Sequence, residues 1–147
     1  MEIEKLQLPG LKLIKPTIYT DERGFFFESF HAKKYEELGV PFVQDNYSYS
    51  RKGTIRGMHF QTNPGQAKLV SVSQGKIFDV VVDIRPQSPT YKEWVGIELD
   101  DQSRCQLFVP VGFAHGFCVI SDEAHVQYKV SSFYDPAVEK SFVYNDP

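Results

Sequence analysis

Long apolar runs are what the chain most plainly lacks. No stretch of about eighteen consecutive apolar residues occurs, so no segment reads as a membrane-spanning helix. Met1-Glu2-Ile3-Glu4-Lys5 has neither the basic start nor the apolar core of a secretory signal, and the expected location is the cytoplasm. Cysteine is scarce as well. Cys105 and Cys118 stand alone without C-x-x-C spacing, which argues against a disulfide framework or a zinc ribbon and for two buried free thiols. Positive charge is not in surplus. With 16 Lys and Arg against 19 Asp and Glu the net charge is −3, which argues against a nucleic-acid binder, although local cations can still hold a small anion. Helix-like sequence is confined to Ala32 to Leu38 (AKKYEEL), stopped by Gly39 and Pro41.

What is present is sheet-forming sequence. Aromatic residues make up 14% of the 147 residues and, with Val and Ile, favour strands. Short β-rich runs recur between Gly- and Pro-containing turns: Leu11–Ile14, Arg23–Phe30, Phe42–Ser50, Thr54–Gln61, Ala67–Val72, Lys76–Arg85, Glu93–Leu99, Gln106–Val109, Ala124–Val130 and Ser141–Tyr144. The spacing predicts an all-β protein, a jelly-roll barrel with one short helix, formed by one domain over 1–147. Thr62-Asn63-Pro64-Gly65 reads as the turn of a hairpin between Thr54–Gln61 and the strand beginning at Ala67. In Lys76–Arg85, Phe78, Val80, Val82 and Ile84 share one face and Asp79, Val81, Asp83 and Arg85 the other. If the two carboxylates lie inside, they need partners, and Lys68, Arg56 or His59 are candidates.

Chemistry concentrates in Gly53 to Lys68 (GTIRGMHFQTNPGQAK), which packs Arg56, His59, Gln61, Gln66 and Lys68 into one stretch. Strict alternation sends Arg56 and His59 to opposite faces unless the strand bulges near Gly57. A lone strand histidine is more often a packed core residue than a base. A second dense motif, Pro110-Val-Gly-Phe-Ala-His115-Gly-Phe117, fixes another imidazole between Gly and Pro. The pair resembles the two motifs of cupin barrels, but where metal cupins carry His-x-His this chain reads His59-Phe60-Gln61. Two imidazoles make a poor divalent-ion site, so a cavity without metal is expected. The remaining set suits proton transfer beside a carbonyl: a neutral His as base, Lys68 and His115 on the enolate oxygen, and Tyr128 returning a proton from the opposite side.

Eight motifs in unbroken order then carry a specific resemblance: Arg23-Gly-Phe-Phe-Phe-Glu28, Gln44-Asp-Asn46, Thr54 to Gln61, Gln66-Ala-Lys-Leu69, Phe78 to Arg85, Ser88-Pro-Thr-Tyr91, Pro110 to Phe117 and Tyr128-Lys129. Together they resemble the dTDP-4-dehydrorhamnose 3,5-epimerase family. The resemblance implies a cofactor-free, homodimeric cupin that epimerises dTDP-4-keto-6-deoxy-D-glucose at C3 and C5 on the way to dTDP-L-rhamnose. It implies His59 as proton acceptor and Tyr128 as proton donor. Lys68 and His115 would contact the substrate near the oxyanion. Arg23, Glu28, Gln44, Asp45, Asn46, Arg56 and Glu139 match substrate contacts, and Tyr134 matches an aromatic that stacks on thymine. A relative acting on one carbon or on another 4-keto nucleotide sugar, or a non-catalytic sugar-nucleotide-binding cupin, are the competing expectations.

Members of that family continue past the Asn145-Asp146-Pro147 motif into a tail with a further substrate-contacting Lys and the Asp that orients the catalytic His. The sequence here ends at Pro147. The orienting role is therefore expected to fall to Asp79 or Asp83, or activity to be reduced or altered.

Overall fold

Period-two alternation of apolar and polar residues produces thirteen strands, and the computed structural model describes all 147 residues. They are β1 (Glu2–Lys5), β2 (Lys12–Lys15), β3 (Tyr19–Asp21), β4 (Gly24–Phe26), β5 (Gln44–Arg51), β6 (Ile55–Gln61), β7 (Lys68–Gln74), β8 (Lys76–Asp83), β9 (Trp94–Asp100), β10 (Gln106–Val109), β11 (Phe113–Val119), β12 (Glu123–Val130) and β13 (Glu139–Ser141). Two sheets face each other as a jelly roll, one in the order β1-β2-β10-β7-β12-β5 and the other β13-β6-β11-β8-β9. β3 and β4 form a separate two-stranded ribbon.

The core lies between the sheets. Val70 and Val72 of β7, Ile77 and Val81 of β8, Phe113, Phe117 and Val119 of β11 and Val126 of β12 belong to one buried cluster. A second cluster lies elsewhere, where Tyr35 and Leu38 join Ile14, Leu69 and Phe108. Tyr35 donates its hydroxyl to Gln106 Oε1 at 2.6 Å, and burial pushes its pKa up to about 12. No helix is long and apolar enough to cross a membrane.

Three expectations are corrected. The hairpin across Thr62–Gly65 does not form, because β6 pairs with β11 and β13 while β7 pairs with β10 and β12. The connection instead carries the chain from one sheet to the other, which lets both strands bury a face in the same interior. The helix expected over 32–38 is a run of turns ending in a single 3₁₀ turn, Glu36–Leu38, closed by Gly39 in the left-handed conformation. Two turns of chain with one buried pair, Tyr35 and Leu38, fall short of what helix nucleation costs. The Phe-rich strand expected over 23–30 is ordered as strand only at Gly24–Phe26.

In β8 the two faces divide as the alternation requires, with the acidic face inside. Asp79 and Asp83 are wholly buried, whereas Phe78 is partly exposed on the outer side. Their partners differ from those expected. Asp79 is met by His115, and Asp83 by Arg85, Ser88 and Thr90.

Candidate active site

The site begins with a break in the β6–β11 ladder. Arg56 faces Phe117 and His59 faces His115, so three steps along β6 match two along β11. The extra residue is a bulge at Gly57, whose φ is +125° and whose added Cβ would lie 2.5 Å from the Gly116 Cα. This bulge puts Arg56 and His59 on the same side of the sheet, although simple alternation separates them. Arg56 then crosses to the opposite sheet, donating Nε to Ser50 Oγ at 2.8 Å and Nη2 to the Tyr49 carbonyl at 3.3 Å.

β12 and β5 supply the other wall. Tyr128 faces Asn46 across one ladder and Val70 across the next. Gln44, Asn46, Ser48 and Ser50 form the inward face of β5, with Ser50 buried and the others half-buried, while Val43, Asp45, Tyr47 and Tyr49 are exposed. Gln44 donates Nε2 to Asn46 Oδ1 at 2.8 Å and accepts the Tyr134 amide at 3.1 Å, so it fixes both a neighbouring amide and the loop that carries Tyr134. Lys68, at the start of β7, places Nζ 5.8 Å from the Tyr128 ring centroid.

Two imidazole–carboxylate pairs stand side by side. His115 Nε2 lies 2.8 Å from Asp79 Oδ2, with His115 almost fully buried and Asp79 completely so. His59 Nδ1 lies 3.5 Å from Glu139 Oε1, and the His59 side chain is 46% exposed, open to a ligand. Glu139 comes from the edge strand β13, which pairs with β6 so that Glu139 faces Gln61 and Ser141 faces His59. Neither Asp79 nor Asp83 is bonded to His59, which corrects the expected source of the carboxylate beside it.

Burial and neighbouring charges set the protonation states of these groups. Burial, helped by the charges of Lys68, His115 and Arg56 and opposed by Glu139, lowers the His59 pKa below its ordinary value. The imidazole is therefore neutral near pH 7 and has a free lone pair. Burial raises the Tyr128 pKa, with Glu139 adding to the rise, so the phenol keeps its proton. Burial also lowers Lys68, against the pull of Glu139 and Asp79, and raises Asp79, against His115 and Lys68. A neutral imidazole on one sheet is thus matched by a protonated phenol on the other.

Other expected site residues do not join this group within one chain. Arg23 is 85% exposed on the β3–β4 ribbon and folds back on Asp21. Glu28 pairs with Lys34, and Asp45 points outward to Lys129 at 2.9 Å. Sequence reasoning missed Asp79 as the partner of His115 and Ser50 as the anchor of Arg56; the alternation of β8 and β5 was the only available signal for either. Both thiols are free and half-buried. No three His, Cys, Asp or Glu side chains are grouped so as to hold a metal ion.

A jelly roll of two facing sheets, with a neutral imidazole on one and a phenol on the other beside an amide-rich wall, has the architecture of the cupin-fold sugar-nucleotide epimerases. The family model for dTDP-4-dehydrorhamnose 3,5-epimerase matches residues 5–147, and the chain belongs to that family. It is 48% identical over 149 residues to the dTDP-4-dehydrorhamnose 3,5-epimerase of Neisseria gonorrhoeae, covering 100% of this chain but 45% of that protein. Against the Shigella flexneri enzyme of the same name it is 47% identical over 150 residues, covering 99% of this chain and 83% of the relative. The structure of the Legionella pneumophila dTDP-6-deoxy-D-glucose-3,5-epimerase in complex with dTDP-4-keto-L-rhamnose superposes with a TM-score of 0.96 at 52% identity, covering 99% of this chain and 79% of that one.

Proposed function

We propose that this chain epimerises a dTDP-4-keto-6-deoxy-hexose at C3 and C5, converting dTDP-4-dehydro-6-deoxy-D-glucose to dTDP-4-dehydro-L-rhamnose. The observation that carries the reading is the placement of His59 and Tyr128 on opposite sheets, since abstraction from one side and return from the other inverts a carbon centre. The 4-keto group makes the neighbouring C–H bonds acidic. His59 removes the proton, the electron pair moves onto the ketone oxygen, Lys68 and His115 stabilise that enolate, and Tyr128 delivers a proton to the opposite face. Arg56, Gln44, Asn46 and Glu139 contact the sugar nucleotide, and Tyr134 stacks on the thymine. The reaction needs no cofactor, and its product feeds L-rhamnose into surface polysaccharides from the cytoplasm.

A homodimer completes the site. Arg23, Glu28 and Asp45 match substrate contacts, yet none of them is bonded to the His59–Tyr128 group of its own chain. Phe25 and Phe26 of the same ribbon are 54% and 66% exposed, an apolar surface that a second copy would cover while bringing Arg23 and Glu28 to its partner's cavity. Incubation with dTDP-4-keto-6-deoxyglucose in D₂O tests the reading. Deuterium at C3 and C5 supports it; label at one carbon makes the chain a mono-epimerase, and no label with intact binding makes it a sugar-nucleotide-binding cupin. Light scattering at micromolar concentration separates one chain from two.

A further inference from the structure

We infer that Gln61 is a substrate-binding residue, whose side-chain NH₂ donates to an oxygen of the sugar ring; the inference deepens the epimerase reading and rests on it. Gln61 occupies the position where a metal cupin carries a second histidine. It is only 8% exposed, and its two ends are treated differently. Oε1 accepts the Asp135 N–H at 3.1 Å, while Nε2 is buried without any partner. That contact also settles which way the amide lies, because an N–H can be met only by the oxygen end. The NH₂ group is thereby turned away from the 131–135 loop.

Alternation places Gln61 on the same face of β6 as His59, two residues and so roughly 7 Å further along the strand. Glu139 lies directly across the ladder. A ligand group within that reach of the base is the sugar that the base deprotonates, not the nucleobase or the diphosphate. The chain leaves only three buried side-chain polar atoms without partners: Gln61 Nε2, Ser48 Oγ and Asp79 Oδ1. All three belong to the inward faces of β5, β6 and β8. A protein interior seldom tolerates such atoms, and an unpartnered donor on the inward face of β6 fits a polar ligand that completes it. The loop contact contributes as well. The Asp135 carbonyl accepts the Glu139 N–H at 3.2 Å, so the group that orients the Gln61 amide also leads the chain into β13.

The test compares wild type, Gln61→Glu and Gln61→Met by calorimetric binding of dTDP and of dTDP-glucose, which carries the sugar but cannot enolise. Gln61→Glu keeps an oxygen for the Asp135 amide and removes the donor; Gln61→Met removes both. The expected result is that dTDP-glucose loses about fivefold in affinity in both variants while dTDP changes by less than about twofold. Equal losses for both ligands in Gln61→Glu, or no loss for either, would overturn the inference. A measurement on the wild type guards against variants that fail to fold: the Gln61 side-chain NH₂ resonances are expected to shift with dTDP-glucose and not with dTDP, and unmoved resonances would overturn it. Neither readout needs turnover. A wild type that fails to exchange deuterium but shows the binding contrast sinks the epimerase reading and leaves Gln61 as a sugar contact.

Discussion

His59 Nδ1 and Glu139 Oε1 lie 3.5 Å apart, which makes Glu139 the carboxylate beside the proposed base. A carboxylate there favours the imidazolium that forms when His59 takes a proton, and it raises the His59 pKa against the lowering caused by burial and by the nearby cations. In Glu139→Gln that upward pull is gone, so the pKa falls further. The acid limb of kcat/KM, expected for wild type below the ordinary histidine value of about 6.5, is expected to move to still lower pH. Turnover at the optimum is expected to fall about tenfold as the imidazolium loses its counter-charge. A pH–rate profile checks both; a limb that moves upward would remove Glu139 from this role.

Gly57 makes the pairing of His59 with His115 possible. A side chain at φ +125° is strained wherever it sits, and here its Cβ would also lie 2.8 Å from the His115 carbonyl and 2.5 Å from the Gly116 Cα, both backbone atoms that cannot swing aside. Gly57→Ala is expected to cost about 3 kcal/mol in urea unfolding and to abolish turnover, because the β6–β11 register that aligns Arg56 with His59 is lost. Wild-type stability with wild-type rate would show that the bulge has another cause.

Much of this was legible in the sequence. Alternation located most strands within a few residues, divided β8 into its acidic and apolar faces, and marked Gly57 as the place where Arg56 and His59 could come together. The connectivity was not legible. Thr62-Asn63-Pro64-Gly65 has turn chemistry whether the chain folds back on itself or crosses between sheets, and only the partners of β7, at Gln106–Val109 and Glu123–Val130, decide between them. Which face of β8 lies inside was hidden for a related reason. Apolar Phe78, Val80 and Val82 look like core, yet the interior takes Asp79 and Asp83 because His115 and Arg85 arrive from distant or irregular segments to meet them. The carboxylate near His59 escaped notice as an orienting group because Glu139 reaches it through an edge strand of three residues, too short to leave a pattern.

Gln61 also bears on metal dependence. The chain presents His59 and His115 across one ladder, but His115 Nε2 is engaged by Asp79, and no third ligand joins them. Two imidazoles, one of them committed, are fewer than the three protein ligands a catalytic divalent ion ordinarily takes. Full deuterium exchange is expected to survive exhaustive chelation. Loss of activity that returns on adding zinc, iron or manganese would contradict this.

Asp83 and Arg85 carry stability rather than chemistry. Asp83 is wholly buried and accepts from Arg85 Nε at 3.0 Å, Arg85 Nη2 at 2.8 Å, the Arg85 amide at 3.0 Å and Thr90 Oγ1 at 2.6 Å, with Ser88 completing the set. These bonds, led by the guanidinium, hold its carboxyl far below the usual carboxylate range. A depressed folded-state pKa gives stability that is present above the unfolded value of about 3.9 and is lost as pH falls through the folded one. Arg85→Leu removes the charge partner and leaves Ser88 and Thr90. Because the guanidinium is itself 37% exposed, the expected cost at pH 7 is about 2–3 kcal/mol, below that of breaking a fully buried pair. In the variant the carboxyl protonates at a higher pH than in wild type, which relieves the unpaired charge, while wild type begins to lose its own stabilisation. The difference between the two proteins is therefore expected to shrink as pH falls below about 4. Urea unfolding at pH 7, 5 and 3.5 measures it, and a gap that stays constant or widens on acidification would mean that Arg85 acts through its packing on the Phe113 ring, 4.5 Å away, and not through its charge.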